Sequence, residues 1–260
     1  MSSSSSTPGA TLRAAGAEAM GTALVVLGGP GLMLFGGPDL GTLGVAVGFG
    51  ASLAIAIGVL GAVANPMFSL ALWFARAITL KEAIADWVGQ FAGGIAGAAI
   101  LWGLSDTERF TAGVNGWQAD DTVFPGVDLT SPFAGLGVVI AAELVFGVIL
   151  TVVLLSSIKE QPSNAAAAAF VGGTNVVATL FLLHVSGAGV NPARSLGMAI
   201  FADTDPGALG QVWVFIVVPV LAAVAGLLVW LAIDEATIDD TVFDDTVLES
   251  VSDAAGDVLH

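Results

Sequence analysis

The chain has no cysteine, only two histidines, and only six lysines and arginines among its 260 residues. Without cysteine there can be no disulfide and no thiolate metal site. His184 and His260 stand isolated from each other, so neither a metal nor a cofactor is expected. The scarcity of positive charge removes nucleic acid as a partner, because no basic patch is available for phosphates. No Ser-His-Asp set, paired lumenal carboxylates or phosphate loop appears, and an enzyme reading has nothing to rest on.

Charge of either sign is also missing from long stretches. Ala134–Ile158, Ala165–Val185 and Val212–Ile233 together hold one carboxylic acid, Glu143. Each is about as long as the roughly 20 residues needed to cross a bilayer core. Charged residues are 11% of the chain, apolar ones 56%, and the mean hydropathy is +0.92. The lipid bilayer is therefore the expected solvent.

The acids sit elsewhere, nine of them between Asp234 and His260 and five between Asp106 and Asp128, for a net charge of -16. An acidic, lysine-poor surface suits very high salt and points to a halophilic source. Residues 1–13 are expected to be a disordered leader and 234–260 an acidic cytoplasmic tail. In the tail, Ile238, Val242, Phe243, Val247, Leu248 and Val251 recur near helical spacing, but a solvated tail is the simpler expectation.

Apolar runs between polar breaks give six spans, at about 14–35, 41–61, 82–104, 134–157, 165–185 and 211–233. An even count puts both termini on one side. Arg13, Arg76, Lys81 and Lys159 fall on that side and only Arg109 opposite, which makes it cytoplasmic by the positive-inside rule.

Two further apolar stretches, Asn65–Ala75 and Asn191–Ala202, are too short to cross. Both open with Asn-Pro. The Asn side-chain oxygen can cap the first helical amides, and Pro at the next position needs no donor and already has a helical φ. Two half-length helices are predicted to begin there.

The same order occurs twice. Ala17-Glu18 recurs as Ala142-Glu143 at an offset of 125, and Asn65-Pro66 as Asn191-Pro192 at an offset of 126. Each half, about 14–104 and 134–233 with an extracellular loop 105–133 between, holds three spans. An odd number turns the second half upside down, giving an inverted repeat. The half-helices then enter from opposite faces and meet N-terminus to N-terminus near the midplane.

Irregular backbone at membrane depth is tolerated only inside protein or along a wet cavity, so two re-entrant segments imply a pore. Their facing N-termini create a positive midpoint that a cation must climb and a water molecule need not. Asn65 and Asn191 can cap their helices and still point NH2 donors into the lumen. Arg194, one turn into the second half-helix, is expected to line the cavity, offering donors and repelling cations. Glu18 and Glu143 are expected to accept hydrogen bonds from loop amides of their own halves. Gln90 is expected at a helix contact, and Gly93 with Gly97, like Ala222 with Gly226, permits close helix approach.

These residues resemble the major intrinsic protein family, the aquaporins and glycerol channels. Gly187-Ala188-Gly189-Val190-Asn191-Pro192-Ala193-Arg194-Ser195 is similar to the family's second signature loop almost residue for residue. Ala17-Glu18-Ala19-Met20-Gly21-Thr22 and Gln90-Phe91-Ala92-Gly93 match supporting patterns, and the resemblance covers about 14–233. The first loop departs from it, with Asn65-Pro66-Met67 in place of Asn-Pro-Ala and about four residues fewer before it.

The resemblance implies an all-α channel, a homotetramer with one pore per subunit, and an outer constriction of four positions. Three of these fall on Thr179, Ala188 and Arg194. The fourth falls on Phe49 if the shortening lies in the loop and on Val45 otherwise; the local Gly48-Phe49-Gly50 pattern favours Phe49. Strict water channels usually carry His at the Thr179 position, and glycerol channels carry Trp, Gly and Phe. Thr179 and Ala188 leave more room than the water-selective ring, while Ser195 in place of the glycerol channels' Asp leans toward water. Water passage is expected, with glycerol or urea open. A secondary transporter of a small neutral solute is the alternative, disfavoured because the lumen offers no free carboxylate for coupling.

Overall fold

The computed structural model describes residues 8–117, 135–159, 163–204 and 207–233. The first seven residues, most of the expected extracellular loop and the acidic tail lie outside them. Among the described residues the chain is all helix and connection, and six helices are long and apolar enough to span a membrane.

The first span, Gly9–Gly36, is made of α1 (Pro8–Gly28) and the opening of α2 (Pro30–Ile55). It starts upstream of residue 14, since Ala10, Ala14, Ala15 and Ala17 are strong helix formers that extend it into the expected leader. The rest of α2, broken at Gly41 (φ 60°), and a π-helical turn at Ala56–Leu60 make the second span, Asp39–Leu60. The other spans are α4 (Leu80–Leu104), α6 (Leu136–Lys159), α7 (Asn164–Ser186) and, with the short α9 (Ala208–Gln211) ahead of it, α10 (Val214–Ile233). α5 (Thr107–Thr111) is a single turn after α4. Local signals set the ends. Thr79 and Glu82 form a reciprocal capping box at α4, and Ser163 caps α7 through the Ala166 amide.

The two Asn-Pro stretches are half-length helices, α3 (Pro66–Phe74) and α8 (Pro192–Phe201). The spans feeding them both end on a left-handed glycine, Gly61 (φ 65°) and Gly187 (φ 79°), a conformation that glycine adopts without steric cost.

Packing repeats as the sequence does. α1 lies on α4 as α6 lies on α10, α2 meets α7 across the two halves, and each half-helix packs on the last span of the other half, α8 on α4 and α3 on α10. Small residues permit the closest approaches. A Cβ on Gly93 would come within 2.8 Å of the Ala19 Cα, and one on Gly147 within 2.6 Å of the Ala222 Cβ.

Polarity runs inside out relative to a water-soluble protein. Val59 is 76% exposed and Leu228 61%, whereas Arg194 and Glu143 are wholly buried. Such a surface is solvated by lipid, and the chain is a multi-pass membrane protein.

Candidate functional site

The site begins where the half-helices meet. Asn65 has extended backbone (φ −155°), and its Oδ1 accepts from the Met67 amide at 3.0 Å; Asn191 Oδ1 accepts from the Ala193 and Arg194 amides at 3.1 and 3.2 Å. Pro66 and Pro192 occupy the first helical positions. Each Asn also reaches across. Asn65 Nδ2 donates to the Val190 carbonyl at 3.1 Å, and Asn191 Nδ2 donates to the Ala64 carbonyl at 2.8 Å. This differs from two NH2 groups aimed wholly at the lumen. One hydrogen of each amide ties the opposite loop, because each extended loop presents a carbonyl that buried backbone must pair, and each amide keeps one hydrogen.

Two buried acids hold these loops. Glu18 accepts from the Val63 and Ala64 amides at 2.7 and 2.8 Å. Ala64 is left-handed (φ 50°), a strained conformation for alanine, fixed from both sides by Glu18 on its N–H and Asn191 on its C=O. Glu143 accepts from the Gly189 amide at 2.8 Å and from Ser186 Oγ. Gln90 does more than pack: its Nε2 donates to Glu18 at 2.8 Å and to Ser69 Oγ at 2.9 Å, and Ser69 in turn donates to Asp86 at 3.1 Å. Trp87 Nε1 donates to the Pro66 carbonyl at 3.2 Å. α3 is thereby fastened to α4 along one side.

The third residues of the two motifs pack differently. Ala193 lies against Gly94, where a Cβ would fall 2.3 Å from the Ala193 carbonyl oxygen. Met67 is 1% exposed, and a Cβ on Gly147 would lie 3.3 Å from its sulfur, so the larger Met67 side chain is accommodated by glycine on the facing helix.

Arg194 is completely buried. Its Nη1 donates to Asn115 Oδ1, its Nη2 donates to the Gly187 carbonyl at 2.9 Å, and its Nε–H has no hydrogen-bond partner among the described residues. The guanidinium carbon lies 5.6 Å from the centre of the Phe49 ring. Of the two positions weighed on the second span, Phe49 is thus the one over the guanidinium; Val45 is buried in the same apolar cluster. Ala188, also left-handed (φ 58°), adjoins the carbonyl that holds Arg194, and its amide donates to Leu182 one turn after the buried Thr179.

Sequence reasoning missed Asn115. It is 5% exposed, accepts from both Arg194 and Ser195 Oγ (2.8 Å), and donates to the Ser186 carbonyl at 3.1 Å. Its one advance signal was an apolar, glycine-flanked Val114-Asn115-Gly116-Trp117 inside an otherwise acidic connection.

Known proteins resemble this chain over most of its length. The major intrinsic protein profile matches residues 4–230. An aquaporin Z of Brucella melitensis is 36% identical over 226 residues, which are 82% of this chain and 94% of that protein. An aquaporin Z of Photorhabdus laumondii is 30% identical over 225 residues, 83% of this chain and 94% of that one. The crystal structure of the aquaglyceroporin from Plasmodium falciparum shares the fold, with a TM-score of 0.66 at 20% identity over 92% of this chain and 99% of that one. With the profile spanning almost the whole sequence and two such relatives, the chain belongs to the major intrinsic protein family of membrane channels.

Proposed function

We propose that this passive channel carries water in single file between the facing half-helices, past Asn65 and Asn191, and through a constriction of Phe49, Thr179, Ala188 and Arg194. The observation that carries the reading is the reciprocal bond pair joining Asn65 to the Val190 carbonyl and Asn191 to the Ala64 carbonyl, which brings the two helix N-termini face to face.

Each N-terminus carries about half a positive charge. Two of them near 4 Å oppose a monovalent cation by about 4 kcal/mol at an effective dielectric constant near 20, close to a thousandfold in rate. Arg194 adds a full charge further along. Water loses nothing comparable, since it turns its oxygen to the amide hydrogen that each Asn retains and to the Arg194 Nε–H, which has no partner among the described residues. Proline, methionine and alanine at 66, 67, 192 and 193 shape the helix starts; Glu18 and Glu143 buttress them.

The surrounding assembly is a homotetramer in the cell membrane, both termini cytoplasmic. The family and its aquaporin Z relatives support water as the solute, while the small Thr179 and Ala188 leave glycerol or urea to be tested. Stopped-flow light scattering on proteoliposomes in high salt should show shrinkage, under an impermeant osmolyte, at least about tenfold faster than bare lipid. Shrinkage at the bare-lipid rate would overturn the water reading.

A further inference from the structure

The first span is broken at Gly29, whose backbone (φ −98°, ψ −87°) fits neither flanking helix, and Pro30 restarts it. The break serves the constriction in two ways. A Cβ on Gly29 would lie 2.3 Å from the edge of the Phe49 ring, so only glycine lets that ring stand over Arg194. One turn on, the Met33 amide bonds back to the Gly29 carbonyl at 3.1 Å, and the Met33 sulfur lies 3.9 Å from Arg194 Nη2.

The other groups on the guanidinium hold it. Asn115 takes Nη1, the Gly187 carbonyl takes Nη2, Phe49 covers the face, and all three residues are buried. Met33 is the partly exposed one of these four described contacts, and it packs against both apolar clusters that flank the first span. Thr179 and Ala188 are small, and Met33 is the side chain of the first span that reaches the guanidinium beside them. An unbranched thioether with three rotatable bonds is suited to that role.

We propose that Met33 is a specificity-determining residue, a fifth wall from the first span that narrows the opening beside Arg194 and holds back three-carbon polyols. The inference rests on the channel reading above. A single methylene in a pocket changes discrimination by about tenfold or more, and Met33→Ala removes three heavy atoms.

The test is the ratio of glycerol to water permeability, from re-swelling and shrinkage of the same proteoliposomes. Met33→Ala should raise it on the order of tenfold. Met33→Leu, which keeps the volume and removes the sulfur, should keep it low. Leu34→Ala, a truncation at the neighbouring buried position in the cluster of Phe110 and Met198, should leave it at the wild-type value. If Met33→Ala does not assemble, the smaller truncation Met33→Val is read by the same ratio. A normal wild-type water flux with no rise in the ratio, or an equal rise in Leu34→Ala, overturns the role of Met33 alone. Wild-type water flux no faster than bare lipid overturns the channel reading and this inference with it.

Discussion

Replacing Gly94 with leucine should leave almost no folded, conducting protein. α4 and α8 touch backbone to backbone at this point: a Cβ on Gly94 would sit 2.8 Å from the Ala193 carbonyl carbon, and one on Gly197 would sit 2.6 Å from the carbonyl carbon of Gly94. Neither obstacle is a side chain that can rotate away. Overpacking costs about 1–3 kcal/mol even where a core can shift, and here the displaced group is the helix turn that carries Asn191 and Arg194. Close approach of small residues is also what holds helices together in lipid, where apolar burial contributes little. The melting temperature of the detergent-purified variant should fall by tens of degrees, or the protein should aggregate during purification. Gly173→Leu is the control, because nothing lies within 4 Å of a Cβ there. Wild-type melting and flux in Gly94→Leu would contradict the close packing.

The second large effect is expected at Asn115. Asn115→Ala strips an acceptor from a buried guanidinium and from Ser195 Oγ, and a donor from the Ser186 carbonyl. A hydrogen bond to a charged group contributes about 1.5–3 kcal/mol, and an unpaired buried charge costs more. Stability should fall by about 3 kcal/mol, and Arg194, left among the described residues with the Gly187 carbonyl as its oxygen acceptor, should lose its fixed place, letting larger solutes pass. Asn115→Asp keeps the acceptor oxygen and adds a negative charge beside the guanidinium. It should recover most of the stability while weakening cation exclusion. Thermal melting read together with solute and cation fluxes separates the two variants; an alanine variant as stable and selective as wild type would remove Asn115 from the account.

What was legible in the sequence was whatever repeats or has a period. Six runs of about twenty apolar residues mark the spans to within a few residues, and duplication at an offset of 125 to 126 exposes the inverted halves without any alignment. Asn-Pro marks the half-helices because capping and proline geometry are local. Glu18, Glu143 and Arg194 stand out because charge is expensive where they lie.

The rest depends on contacts between residues far apart in the chain. Asn115 and Arg194 are separated by 79 positions, and nothing periodic points one at the other. Met33 reads as one more apolar residue of the first span, and only the break at Gly29 turns it toward the constriction. The choice between Phe49 and Val45 turned on how a shortened connection closes. The chain closes it with a π-helical turn at Ala56–Leu60 and a left-handed Gly61, a local change of pitch that apolar residues do not announce. Ser69 and Asp86, which link α3 to α4, are likewise ordinary residues until the helices are side by side.

Passage of water with exclusion of protons is what two facing helix N-termini and Arg194 are expected to produce. It is tested most directly by imposing a pH gradient on proteoliposomes loaded with a fluorescent pH indicator and recording its decay in the same preparation used for osmotic shrinkage. Fast shrinkage is expected with a gradient that decays no faster than in protein-free vesicles. Fast shrinkage accompanied by rapid collapse of the gradient would contradict it.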